Sequence, residues 1–215
     1  MEFIQSINEA FHGGGWGMWP ILVLSIFWIG LSIERSVYLF RAGLDKGQFM
    51  SLMQKLIAQG NVAQAIKVCS GTSKPLTRIV QAGLMKMNRS ERDVQAAMDE
   101  SALRELPLIE KRTGYLAMIG NVATLMGLLG TITGLIKSFA GVAGVDPSQK
   151  ATMLAAGISE AMNCTAFGLL VGIGALLSFS VLNGKTQGLV DDINEVTVQV
   201  NNMMGQAKEG GNQAA

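Results

Sequence analysis

Three long uncharged stretches constrain the fold of this chain more than any other feature. Residues 13–33 carry no charge over 21 positions, and residues 113–136 and 161–184 carry none over 24 positions each. A helix rises about 1.5 Å per residue and the hydrocarbon core of a bilayer is about 30 Å thick, so each stretch is long enough to cross it. Only 15% of the residues are charged. The sequence therefore predicts an all-α integral membrane protein with three transmembrane helices.

The basic residues are distributed unevenly around these stretches. Of the 17 lysines and arginines, only Lys137 and Lys150 lie at or within the link between the second and third stretches. The remaining 15 lie between the first and second stretches or after the third. Because basic loops stay on the cytoplasmic side, this asymmetry predicts a periplasmic N-terminus and a cytoplasmic C-terminus.

Helical spacing and capping residues divide the chain further. Asn61 follows Gly60 as a cap between two short helices, and Ser90 begins a capping box that opens a longer one. A stripe from Leu189 to Met203 keeps helical spacing, so we expect the second and third helices to extend into the cytoplasm. The predicted segments are an outer-face amphipathic segment (1–17), the first transmembrane helix (18–40), a cytoplasmic helical region (41–112), the second transmembrane helix (113–139), a periplasmic loop (140–152), the third transmembrane helix (153–183), and a cytoplasmic helix with a disordered tail (184–215).

Motifs of soluble enzymes are absent from the sequence. The Lys185-Thr186 pair follows a glycine but lacks the earlier glycine of a phosphate loop, because Phe179 stands there. One histidine leaves little for general-base catalysis or a metal pair. The basic residues are scattered rather than clustered as a nucleic-acid footprint. The sequence predicts no enzyme, no catalytic residues, no metal, no cofactor and no nucleic-acid partner.

Glu160 is the only charged residue among residues 151–184. A carboxylate at membrane depth costs about 2.5 to 3.5 kcal/mol on insertion scales, so such residues normally face a protein interior or an ion path. Asn163 and Thr165 follow Glu160, and Thr124 and Thr131 are seven residues apart, on nearly one helical face. Each hydroxyl could also bond its own helix. Together these residues predict an ion pathway.

Small residues recur along the second and third predicted spans. Glycines at such spacing allow two membrane helices to approach closely. We therefore expect helix packing at Gly127, Gly130, Gly134, Gly168 and Gly172.

Two segments of the spans have a distinctive sequence: residues 116–139, LAMIGNVATLMGLLGTITGLIKSF, and residues 158–173, ISEAMNCTAFGLLVGI. They resemble the two signature helices of the MotA/TolQ/ExbB proton-channel family. The resemblance covers roughly residues 18–205, and three spans with an outer N-terminus favour the TolQ/ExbB-like branch, which includes gliding-motility members.

The resemblance implies a motor stator subunit in the bacterial inner membrane. Family members look like homopentamers whose second and third spans line a pore holding a dimer of a single-pass TolR/ExbD-like protein. That partner's membrane aspartate takes up and releases the coupling ion, which is expected to be H⁺ with Na⁺ left open. By this resemblance, Thr131 and Thr165 hydrogen-bond the partner carboxylate or its water, and Glu160 lies nearer the outer entrance. Membrane lipid and an effector of TonB-like, Tol-like or gliding type are further implied partners.

The chain departs from the family pattern at three positions on the spans, one of which is Asn163, where an aliphatic residue is common. Many members carry proline where this chain has Thr124 and Gly174. Two other interpretations also stay open: a non-conducting membrane oligomerisation scaffold, and a small-solute transporter. A transporter favours internal repeats, and none is visible.

Overall fold

The computed structural model describes residues 14–213, with side chains described through residue 207. All regular structure in this range is helical, and three helical stretches are long and apolar enough to cross a membrane, as the sequence predicts. The elements are α1 (Met18–Ala42), α2 (Lys46–Ala58), α3 (Val62–Ser70), α4 (Pro75–Leu84), α5 (Glu91–Glu110), α6 (Thr113–Gly141), a 3₁₀ turn (Val142–Gly144) and α7 (Pro147–Gln213). Most of the amphipathic segment predicted for residues 1–17 lies outside the described residues.

The chain divides into two compact units. The first unit consists of Met1–Arg35 and Arg112–Val181, and the second consists of Ser36–Lys111 and Leu182–Ala215. Helix α6 and the part of α7 up to Val181, which lie in the first unit, are apolar and rich in glycine. Because a helix satisfies its backbone hydrogen bonds internally, such segments are stable in lipid without polar partners.

Capping side chains determine where two helices of the second unit begin. Asn61 accepts a hydrogen bond from the backbone N–H of Gln64 at 3.3 Å, and Ser90 and Asp93 form a reciprocal capping box. These side chains satisfy N–H groups that a helix start leaves unpaired. Local sequence therefore sets where α3 and α5 begin, as predicted.

The apolar stripes of the second unit are buried within that unit. Ile193, Val196 and Val200 of α7 are at most 3% exposed. The predicted stripe ends at Met203, whereas the buried methionine is Met204, which contacts the α4–α5 region at Gly83. These stripes pack against the chain's own helices, so burial of apolar area stabilises the unit.

Charged side chains at the surface of the second unit join α2 to α7. The Lys46 ammonium hydrogen-bonds Glu195 and lies 3.3 Å from Asp192. The hydrogen bond to Glu195 raises the pKa of Lys46, and it lowers the pKa of Glu195. Because all three groups are partly exposed, solvent screens the pair and its contribution to stability is small.

The backbone between α5 and α6 breaks at Arg112. This residue has φ +66°, in the left-handed region that a side chain makes unfavourable. Pro107 lies inside α5, and its carbonyl accepts from the N–H of Lys111. Helix α6 therefore begins as a separate helix at Thr113.

Helix α7 continues as one element for 67 residues. It includes residues 209–213, for which the sequence predicts a disordered tail. Adding a residue to an existing helix gains a hydrogen bond without a new nucleation step, which accounts for this difference.

Candidate functional site

Glycines bring α6 and α7 into close antiparallel contact. A methyl group added at Gly168 would lie 2.8 Å from the carbonyl oxygen of Ala123 and 2.9 Å from the Cα of Gly127. One added at Gly134 would lie 3.1 Å from the Cβ of Ala161. Contacts of this kind need small residues, because backbones can approach only where side chains are absent.

The remaining two glycines on the predicted list belong to the same interface. A methyl group at Gly130 would overlap the sulfur of Cys164, and one at Gly172 would overlap the hydroxyl of Thr124. The structure therefore brings all five glycines into contact between the two helices.

Thr165 connects α7 to α6 directly. Its hydroxyl donates a hydrogen bond of 2.9 Å to the backbone carbonyl of Gly127. An added methyl group at Gly127 would lie 3.2 Å from the Cα of Thr165, so the glycine allows the two backbones to approach at this hydrogen bond. This is the interhelical polar contact that lipid-embedded helices use in place of a hydrophobic driving force.

The other hydroxyls bond within α6. Thr131 donates to the carbonyl of Leu128 at 2.6 Å, and Thr124 donates to that of Gly120 at 3.0 Å. A hydroxyl that donates its hydrogen to the backbone retains lone pairs that can accept. These threonines can therefore receive a hydrogen bond from a protonated carboxyl group or a water without breaking an existing bond.

Glu160 lies in an open pocket of about 240 Å³ formed by the ends of α6 and α7. Lys137 and Ser138 of α6 line the same pocket, and Gly157 lies one helical turn from Glu160. The Glu160 side chain is half-buried. Its carboxylate lies against Gly15, where an added methyl group would overlap Oε1.

Glu160 and the threonines form two separate groups along the helices. Five residues correspond to about 7.5 Å of helical rise, which separates Glu160 from Thr165 along α7. Among the residues that the structure describes, no hydrogen bond joins Glu160 to Thr131 or Thr165. Asn163 is half-buried on α7 between the two groups.

Several contacts of the site have no signal in the sequence pattern. Gly15 has φ +68° in the turn before α1, and Gly17 lies against the sulfur of Cys164. Periodicity cannot predict either contact, because the turn lies far from α7 in sequence. The sequence identifies Lys137 only as a basic residue near a loop, and it does not predict that Lys137 lines the Glu160 pocket.

A tryptophan on α1 contacts the far end of α7's apolar segment. The Trp28 Nε1 donates to the Ser178 hydroxyl at 3.0 Å, and that hydroxyl donates to the Gly174 carbonyl at 2.8 Å. A methyl group at Gly174 would lie 2.5 Å from the indole ring. Many members of the family that this sequence resembles carry proline at the position of Gly174. The glycine leaves room for the Trp28 ring.

An ion pair joins α1 to the start of α6. Arg112 Nη1 lies 2.5 Å from Glu34 Oε1, within the first unit. Both side chains are partly exposed. The left-handed conformation of Arg112 thus coincides with an ion pair between the two helices.

Comparisons with known proteins indicate the family of this chain. The model of the "MotA/TolQ/ExbB proton channel family" matches residues 72–195. "Putative biopolymer transport protein ExbB-like 1" of Synechocystis is 32% identical over 181 residues, covering 81% of this chain and 69% of that protein.

Two further relatives carry the ExbB and TolQ names. "Biopolymer transport protein ExbB" of Pseudomonas putida is 29% identical over 204 residues, covering 86% of this chain and 61% of that protein. "Tol-Pal system protein TolQ" of Pseudomonas aeruginosa is 34% identical over 97 residues, covering 45% of this chain and 42% of that protein.

These matches confirm the family resemblance found in the sequence. A family of membrane proton channels is not a class of enzymes, so the prediction that the chain is not an enzyme is confirmed by its membership. The chain belongs to the MotA/TolQ/ExbB proton channel family, in its TolQ/ExbB-like branch.

Proposed function

We propose that this chain is the stator subunit of a proton-driven motor in the bacterial inner membrane, coupling ion flow to mechanical work through a TolR/ExbD-like partner. The observation that carries the proposal is the location of Glu160. The only charge among residues 151–184 lies half-buried in an open pocket beside Gly15, next to a glycine-packed helix pair. A charge retained at such a cost in a proton channel family is expected to serve the ion path.

In this proposal Glu160 takes up protons at the outer entrance. Its pocket opens to the surface, and the polar residues Lys137 and Ser138 line it as well. Water in the pocket would deliver a proton to the carboxylate, because a chain of hydrogen-bonded waters needs polar partners of this kind. Asn163, one turn further along α7, supplies the next polar side chain.

The threonines act as acceptors further along the path. Thr131 and Thr165 have their hydroxyl hydrogens on backbone carbonyls. They would therefore accept a hydrogen bond from the protonated form of the partner's carboxyl group. The deprotonated form has no hydrogen to donate, so the contact distinguishes the two states of the partner.

Membrane potential supplies an appropriate driving force. Moving one charge across 100 mV releases about 2.3 kcal/mol, which is comparable to breaking and remaking a few hydrogen bonds. Such an energy can change side-chain contacts at Thr131 without unfolding a helix.

The first unit exposes an apolar surface of the kind that lipid or neighbouring copies cover. Large side chains on α6 and α7 are more than half exposed, among them Leu125, Leu170 and Leu177. In the proposed assembly these faces contact lipid or neighbouring copies, and α6 and α7 line the pore around the partner dimer.

The length of α7 supports extension into the cytoplasm. Its 67 residues correspond to about 100 Å of ideal helix, about three times the thickness of the hydrocarbon core. With the basic residues on that side, the proposed orientation has the C-terminus in the cytoplasm and the Glu160 pocket at the periplasmic end.

Native mass spectrometry of the complex tests the proposed assembly. The chain is purified from its native membrane under mild extraction, and its companions are identified. We expect five copies with two copies of a single-pass protein that carries an aspartate within its span. A homo-oligomer without such a companion would contradict the proposal and favour the scaffold interpretation.

A further inference from the structure

Asn163 carries an unused hydrogen-bond donor within a span. It lies in the apolar part of α7, and its carboxamide makes no hydrogen bond with any residue that the structure describes. The side chain is half-buried, so a group from outside the chain can reach it. A carboxamide has two N–H donors and one oxygen acceptor, and lipid tails can satisfy neither. Asn163 therefore calls for a partner that the described part of its own chain does not supply.

The position of Asn163 on α7 directs it away from the contact with α6. Ala161 and Thr165 both contact α6. Each is two residues from Asn163, which is a rotation of about 200° around the helix. The large side chains on the exposed face beside Asn163 are Met162 and Leu170, which are 64% and 71% exposed. Asn163 thus adjoins a surface that lipid or another membrane helix covers.

Thr133 of α6 offers the complementary group at nearly the same depth. Gly134 contacts Ala161 across the helix pair, so Thr133 and Asn163 differ in depth by about 3 Å of helical rise or less. The half-exposed Thr133 hydroxyl directs its hydrogen to two carbonyls of its own helix, at 2.9 and 3.2 Å. It keeps lone pairs but has no hydrogen to spare, whereas Asn163 has hydrogens without an acceptor.

We infer that Asn163 donates a hydrogen bond to Thr133 of a second copy of this chain, so that α7 of one copy contacts α6 of the next. Copies in one membrane share their orientation and depth, so groups at matching levels of one chain also match between neighbours. A contact between two different surfaces repeats around a ring, which is the geometry of a homopentamer. The inference rests on the proposed function, because it takes the homo-oligomer from it.

Association of the full chain in lipid vesicles tests this contact. Copies carry a donor or an acceptor fluorophore at the C-terminus, and energy transfer is measured over a series of protein-to-lipid ratios without any partner protein. We expect Asn163→Leu to raise the dissociation constant about three- to tenfold, the size of one hydrogen bond between helices in lipid. Asn163→Gln retains the N–H donors and should keep most of the association.

A double-mutant cycle identifies the acceptor. Thr133→Val should weaken association about as much as Asn163→Leu. The two substitutions combined should weaken it no further, because both remove the same bond. Met162→Leu changes an exposed apolar neighbour and should leave association unchanged. Circular dichroism and size-exclusion chromatography confirm folding, and Asn163→Ala replaces Asn163→Leu if the latter does not fold.

Three results would overturn the inference. The first is unchanged association of a folded Asn163 variant, and the second is additive effects of the two substitutions. The third is loss of a single-pass protein from the complex purified with the Asn163 variant while the copies stay associated, which would assign the amide to that protein. A failure of the proposed function would appear differently, as absent proton flux through a complex whose copies associate normally.

Discussion

At the scale of single residues, two polar side chains of the first unit contact the backbone of a glycine. Glu160 lies against Gly15, and Thr165 bonds the carbonyl of Gly127. A side chain at Gly15 would occupy the space of the carboxylate, and one at Gly127 would lie 3.2 Å from the Cα of Thr165. Changes at these glycines should therefore act on the polar residues themselves.

Gly15→Ala should impair the Glu160 site. The new methyl group would overlap the carboxylate, and alanine at φ +68° costs about 1 to 2 kcal/mol. We expect reduced gradient-driven proton uptake by the reconstituted complex, with assembly retained. Gly30→Ala is the matched control, because a methyl group there has nothing within 4 Å. Equal uptake by the two variants would contradict the assigned contact.

Thr165→Val should weaken the contact between α6 and α7. Valine keeps the shape of threonine but removes the 2.9 Å hydrogen bond to Gly127, a loss of about 0.5 to 1 kcal/mol. The measurement is the free energy of unfolding in mixed detergent. Thr165→Ser should retain most of the stability.

A second threonine provides the comparison for Thr165. Among the residues that the structure describes, Thr133 bonds only the carbonyls of Leu129 and Gly130, both in its own helix. Thr133→Val should therefore change the free energy of unfolding less than Thr165→Val does. The reverse order would show that the interhelical bond is not the stabilising feature.

At the scale of helices, one position in each unit reports on how its elements pack. Trp28 of α1 meets Ser178 and Gly174 of α7 in the first unit. In the second unit, Cys69 of α3 is 1% exposed in the core. Substitutions at these positions should report on packing between elements rather than on helix formation.

Gly174→Ala should displace Trp28. A methyl group there would lie 2.5 Å from the indole, and overpacking of this kind typically costs about 1 to 3 kcal/mol. We expect a shift of the Trp28 fluorescence in a background where Trp16 and Trp19 are replaced by phenylalanine. Gly184→Ala on the same helix has nothing within 4 Å and should leave the emission unchanged.

Cys69 should make stability depend on pH in the alkaline range. Burial raises the pKa of its thiol from 9.0 to about 11. The unfolded thiol ionises first, so the stabilisation is complete below pH 9 and is lost as the pH rises toward 11. A shift of this size corresponds to about 3 kcal/mol.

Thermal unfolding measured from pH 8 to pH 11 tests this dependence. We expect a smaller fall of the unfolding midpoint for Cys69→Ala than for the unmodified chain, because alanine has no ionising group. Parallel curves for the two proteins would show that the thiol ionises equally in both states.

Local signals in the sequence were sufficient for some features and insufficient for others. Asn61 and Ser90 cap the helices they were predicted to begin, because capping depends on residues three positions apart. The contact of Trp28 with Ser178 joins residues 150 positions apart, and no periodic pattern encodes it. Arg112 likewise breaks the helix after Pro107 by adopting a left-handed conformation, which the sequence does not signal.

At the scale of the whole molecule, the positions of the charged residues are more informative than the net charge. The net charge is only +1, yet 15 of the 17 basic residues lie on the side proposed to be cytoplasmic. The charged residues Glu160 and Lys137 line one pocket of the first unit. We propose that the ion path begins at this pocket and continues past the threonines of α6 and α7.

Proton flux through the purified complex tests that claim most directly. The complex captured through this chain is reconstituted into liposomes containing a pH-sensitive dye, and a potassium gradient with valinomycin sets the membrane potential. We predict acidification by the unmodified complex and its loss in Glu160→Ala and Thr131→Ala, with native mass spectra showing unchanged assembly. Undiminished flux in both variants would contradict the proposed path.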